Sequence, residues 1–139
     1  MRILIAFSML LICSIEDLRT HMVNIILPIA TGLLSLLLRD SLIMCIISML
    51  PGLILIITAK FINGIGEGDG YVILSLGMIA GIDDTLTTLF LSFILASFYA
   101  GYLTIVKNSF GNKEFAFVPF IGVGYLICVL VKLFIKTAL

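Results

Sequence analysis

Six apolar runs, separated by short polar breaks, organise the chain. They cover about residues 2–15, 22–38, 41–63, 70–82, 85–106 and 117–136. The breaks fall at Glu16 to His21, Arg39-Asp40, Asn63 to Asp69, Asp83-Asp84, and Lys107 to Glu114. Runs three, five and six reach the ~20 residues that a helix needs to cross a bilayer core. The first and fourth are short, and each adjoins an acidic motif. A short helix leaves its polar end at membrane depth unless the bilayer thins or neighbouring helices shelter it. The pattern predicts an all-α integral membrane fold of about six transmembrane helices, two of them short. No repeat, low-complexity tract or linker divides the sequence, so a single transmembrane domain over residues 1–139 is expected.

Composition points the same way. The chain is 62% hydrophobic and 12% charged, against about half and a quarter in a soluble domain. It has too little polar surface to face water, and lipid is its expected solvent and partner. Net charge is zero and there is no basic run, which argues against a nucleic-acid partner. Cys13, Cys45 and Cys128 are widely spaced within apolar runs, which suits packing rather than a disulfide framework or a zinc site. Arg2 before an apolar run resembles the start of a signal peptide. No small-x-small cleavage site follows, however, and Glu16-Asp17-Leu18-Arg19 comes next, so the run reads as a retained first helix.

Positive charges give an orientation. Arg19, Lys60, Lys107 and Lys113 fall in the odd-numbered loops, whereas the even-numbered loops hold only Arg39. The positive-inside rule then puts loops one, three and five in the cytoplasm, together with Asp17 and Asp69. Small residues four apart (Gly77 and Gly81; Ser92, Ala96 and Ala100; Ser97 and Gly101) fit close helix packing, as they fit chance in a chain rich in small residues. Pro51-Gly52 predicts a kink in the third helix.

Ionisable groups at membrane depth are costly, so each acid needs a reason. Asp40, Asp83, Asp84 and Glu114 read as water-exposed turn or loop residues. Asp69 lies in Gly64-Ile65-Gly66-Glu67-Gly68-Asp69-Gly70, just before an apolar helix. Glycines there permit unusual backbone or close approach by another chain. Spacing alone equally fits a loop ending in an Asp helix cap. Asp17, ending the first run, is the natural second acid. Two carboxyl groups in a poorly hydrated site do not both ionise easily, and one keeps its proton. Such a pair can activate water against a peptide carbonyl while protonating the carbonyl oxygen or leaving amine.

Asp17-Leu18-Arg19-Thr20 and Gly66-Glu67-Gly68-Asp69 resemble the paired Asp-x-Arg and Gly-x-Gly-Asp motifs of type IV prepilin peptidases. Archaeal preflagellin peptidases are similar. Glu114-Phe115-Ala116-Phe117-Val118-Pro119-Phe120 resembles the late Pro-Phe-x-x-Pro-Phe-like segment of that family, with the first proline replaced. The resemblance implies a multi-spanning aspartyl endopeptidase in a prokaryotic inner or sole membrane. It would remove the basic leader from pilin-like precursors on the cytoplasmic side, with Asp17 and Asp69 catalytic and no cofactor. Arg19, Gly66, Glu67 and Gly68 would support the site or the substrate. The acidity of Glu16, Asp17, Glu67 and Asp69 suits attraction of a cationic leader.

The sequence departs from that family in places. Met22-Val23-Asn24 stands where many members have an Ile-Pro-Asn-like turn, and Tyr71 where many have Lys. There are no CxxC pairs of the kind found in the methylating domain of bifunctional members, so a peptidase-only protein without zinc or S-adenosylmethionine is expected. His21 reads as an interfacial polar residue or a modulator of the aspartates. Tyr99, Tyr102 and Tyr125 read as interfacial or packing residues. Two rival readings keep the acids but not the peptidase. One is a proton-coupled transporter, whose relay acids should lie near mid-span. The other is a non-catalytic membrane subunit of a secretion machine, with dispensable aspartates.

Overall fold

The computed structural model describes residues 1–20, 22–37, 42–61, 66–107 and 116–138. Six helices make up the described chain: α1 (Arg2–Thr20), α2 (Ile26–Leu36), α3 (Leu42–Phe61), α4 (Glu67–Ala80), α5 (Ile82–Lys107) and α6 (Val118–Ala138). Three stretches are long and apolar enough to cross a membrane: Ile43–Phe61, Ile82–Ile105 and Val118–Ala138. They correspond to the three runs expected to span. Large apolar side chains such as Ile43, Phe98 and Phe134 are more than two-thirds exposed. In water that surface would be an aggregation hazard; in a membrane protein it faces lipid.

Several helix ends differ from the apolar runs, and the reason is common to them. Polarity marks where a helix meets water or a site, whereas only backbone chemistry ends it. α1 continues through Glu16, Asp17 and Arg19 to Thr20, because no glycine or proline interrupts it. α2 starts at Ile26 rather than residue 22, after Asn24 Oδ1 accepts the Ile26 N–H at 3.1 Å. α4 ends at Gly81, whose φ of 104° suits a glycine, so Gly81 terminates the helix. Asp83 and Asp84 are not turn residues. They occupy the first turn of α5, where free N–H groups favour negative charge, and Asp84 pairs with Lys132 of α6. Arg39-Asp40, Asn63 to Ile65 and Lys113 to Phe115 lie outside the described residues, as does His21.

Contacts along each helix pair fix the topology. α3 and α4 run antiparallel, with Ile56 beside Gly70, Gly52 against the Leu74 backbone, and Gly77 against the Ser48 carbonyl. Pro51 sits inside α3, which continues to Phe61, and the neighbouring Gly52 serves this close approach. α1 and α6 are antiparallel, from Phe7 packed on Tyr125 to Asp17 beside Val118. α5 and α6 are likewise antiparallel, with Asp84 at Lys132, Ser92 at Gly124 and Tyr99 at Phe120. Of the small-residue rows on α5, Ser92 and Ala96 are buried, whereas Ser97, Ala100 and Gly101 face outward.

The core is built from α1, α4 and α6, with Met9, Leu10, Ile73, Leu76, Ile121 and Tyr125 almost wholly buried. Cys13 is a buried free thiol within that core, and Cys128 and Cys45 are buried on α6 and α3. Buried hydroxyls bond back to their own helices: Ser48 donates to the Met44 carbonyl, Ser75 to Tyr71 and Ser92 to Thr88. These three hydroxyls are thereby satisfied without water, as a bilayer favours. The same alternation brings the C-terminal ends of α1, α3 and α5 and the N-terminal ends of α2, α4 and α6 to one end of the bundle.

Candidate active site

Both singled-out aspartates stand at that shared end. Asp17 lies in the last turn of α1 and is 5% exposed. Its Oδ2 accepts the Val118 backbone N–H at 3.0 Å. Asp69 lies in the first turn of α4, half-buried, and the charges of the two carboxyl groups reach one another. α1 arrives at this end while α4 leaves it, which is why residues 52 positions apart in sequence come to the same end of the bundle.

The glycine-rich motif has a steric reason. The N-cap of α4 is Gly66, so Asp69 is not the capping residue; its N–H donates to the Gly66 carbonyl at 3.2 Å. A Cβ on Gly68 would lie 3.0 Å from Val23 Cβ, and one on Gly70 would lie 3.0 Å from the Ile56 nitrogen. Glycines at 68 and 70 thus let the α1–α2 connection and α3 close on the first turn of α4, on either side of Asp69. Gly66 itself has extended backbone at φ −68°, so close approach rather than left-handed conformation explains the described part of the motif.

The other acids divide between structure and surface. Glu16 Oε2 accepts the Asn24 N–H at 3.3 Å, holding the α1–α2 connection against the end of α1. Thr20 Oγ1 supports the same turn by donating to the Glu16 carbonyl at 2.9 Å and accepting the Met22 N–H at 3.3 Å. The connection therefore closes without the proline that the resemblance led one to look for. Glu67 is exposed in the first turn of α4. Arg19 is exposed in the last turn of α1, and two positions along a helix its side chain leaves in nearly the opposite direction from Asp17. Sequence reasoning brought out neither Glu16 as an acceptor nor Val118 as a donor. The late aromatic-proline segment was the only signal near Val118, and it carried no pointer to a partner 101 positions away.

Chemically, the arrangement provides one nearly enclosed carboxyl group and one half-buried one, at the end of a bundle whose flanks are apolar. Two carboxyl groups in a poorly hydrated setting do not both ionise easily. Neither the curated proteins nor the solved structures gave a match to the chain. A family model for the type IV leader peptidase family matches residues 4–101, which run from α1 into α5 and contain both aspartates. That match, over most of an all-helical membrane bundle, places this chain in the type IV leader peptidase family as a leader peptidase-like protease, of aspartic type like that family.

Proposed function

We propose that Asp17 and Asp69 are the catalytic pair of a membrane-embedded aspartyl endopeptidase that removes the basic leader from type IV pilin-like precursors. The observation that carries the reading is the placement of Asp17 in the last turn of α1 and Asp69 in the first turn of α4, at the same end of two antiparallel helices. One carboxyl group holds a proton while the other is ionised. The ionised member takes a proton from a water as it attacks the scissile carbonyl. The protonated member donates to the carbonyl oxygen, and the pair later returns a proton to the leaving amine. Because the pair titrates together, the roles belong to the dyad rather than to either residue.

The active end is assigned to the cytoplasm of a prokaryotic cell. Arg19 and Lys60 lie near the shared end, in the last turns of α1 and α3, in keeping with the positive-inside rule. Exposed Glu67 and the neighbouring Glu16 give that end the sign that draws a cationic leader. An apolar segment following the cleaved bond would remain among lipid, alongside helices that expose apolar side chains.

The test is co-expression with a pilin-like precursor. Wild type converts it to the shorter product, whereas Asp17→Asn and Asp69→Asn each leave it unprocessed at equal protein levels. Wild-type processing by both single variants would refute the dyad and favour a non-catalytic subunit.

A further inference from the structure

We infer that the first peptide group of α6 is a positioning element for the proposed catalytic pair: the Val118 N–H fixes the Asp17 carboxyl group at the site. The inference rests on the reading of Asp17 as catalytic, and it concerns a helix that lies beyond residues 4–101, the stretch matched by the family.

The donors at the start of α6 can be followed one by one. A helix begins with N–H groups that have no partner within it. At this start, Pro119 has no N–H to offer, and its fixed φ suits the first turn. The Phe120 and Ile121 N–H groups both turn back to the Phe117 carbonyl, at 3.0 and 3.3 Å. The Val118 N–H is directed instead to Asp17 Oδ2 at 3.0 Å. Val118 is fully buried and Asp17 nearly so, which makes this hydrogen bond more effective than it would be in water.

The donor is also held rigidly. Phe117 packs on Phe93 of α5 with ring centroids 5.4 Å apart, and Phe120 packs on Tyr99 at the same separation. Further along α6, Tyr125 is buried in the core and Gly124 lies against Ser92. Farther still, Lys132 pairs with Asp84. A backbone N–H so anchored does not rotate or titrate. It therefore restrains one oxygen of Asp17 before substrate arrives, which is what a preorganised site requires. An alanine scan of α6 leaves this N–H in place and would pass over it.

The decisive experiment replaces Val118 in the full-length chain by its α-hydroxy acid analogue, exchanging the N–H for an ester oxygen. The same exchange at Phe120 is the control, since it removes a helix-start bond to Phe117 without touching Asp17. Cleavage of a pilin-like precursor is followed for kcat and KM. The Val118 ester is expected to lose about tenfold or more in kcat with KM little changed, the size of one hydrogen bond to a charged group. The Phe120 ester should stay within about threefold of wild type. A Val118 ester with wild-type kcat, or a Phe120 ester that falls equally far, overturns the inference. Asp17→Asn, assayed alongside, separates the two levels. If it is inactive while the Val118 ester is normal, only the positioning role fails; if it is active, the catalytic reading of Asp17 fails and the inference with it.

Discussion

Gly70 brings the backbone of α4 against that of α3, because a Cβ at position 70 would stand 3.0 Å from the Ile56 nitrogen. The contact falls one residue after Asp69, so the spacing between α3 and α4 is coupled to the position of that carboxyl group. Gly70→Ala is expected to destabilise the bundle by about 1–3 kcal/mol, as overpacking of a tight contact does, and to slow precursor cleavage. Gly101→Ala is the contrast: no atom of the described residues lies within 4 Å of its Cβ position, and alanine favours the helix by about 1 kcal/mol. Thermal unfolding in detergent reads both. Equal stability of Gly70→Ala and Gly101→Ala would show that the two helices do not depend on the glycine.

Asp84 and Lys132 join α5 to α6 at the end opposite the aspartates. The lysine side chain is 58% exposed, so the pair should contribute only about 0.5–1 kcal/mol. Its greater effect is on register, since α6 carries Val118 at its other end. Asp84→Ala and Lys132→Ala should each lower stability, and the double variant should lose less than the sum of the two. A double-mutant cycle with strictly additive losses would show that the ion pair is not formed in solution.

The bundle was largely legible in the sequence because hydropathy reports on lipid contact. The three spans on α3, α5 and α6 follow from run length alone, and Asp17 and Asp69 stand out as acids beside short runs. Helix ends were less legible. Glu16 to Thr20 is polar yet helical, and the stop after α4 depends on the backbone of Gly81 rather than on Asp83-Asp84. Small-residue spacing indicated close packing but not the partner: Gly77 meets Ser48, whereas Gly101 meets none of the described residues. The bond from Val118 to Asp17 had no local signature, because a backbone donor looks alike in every residue but proline.

Glu67 separates attraction of substrate from chemistry. It is exposed one helical turn or less from Asp69 and has no enclosed setting that would make it part of the dyad. If the acidic end draws a cationic leader, Glu67→Gln should raise KM a few-fold at low salt and leave kcat unchanged. The difference should vanish at high ionic strength, where the screening length shrinks to about 3 Å at 1 M. A KM increase that persists in high salt would point to a direct contact with the leader instead.

Arg19 poses the sharpest question about the motif that follows Asp17. A cation two residues from a buried carboxyl group invites the idea of a neutralising pair. On a continuous helix, however, positions two apart do not face each other, and α1 is continuous through Thr20. Arg19 is exposed while Asp17 is buried, as that geometry requires. Its position at the end of the helix suits an anchor at the membrane surface, where the long side chain reaches the headgroups. Arg19→Ala is therefore expected to reduce the amount of correctly inserted protein while the kcat of the inserted fraction stays within about twofold of wild type. Quantitative blotting of the membrane fraction beside a cleavage assay separates the two quantities. A fall in kcat as deep as that of Asp17→Asn would mean that the guanidinium group reaches the carboxyl group once substrate is bound, and that the last turn of α1 rearranges to let it.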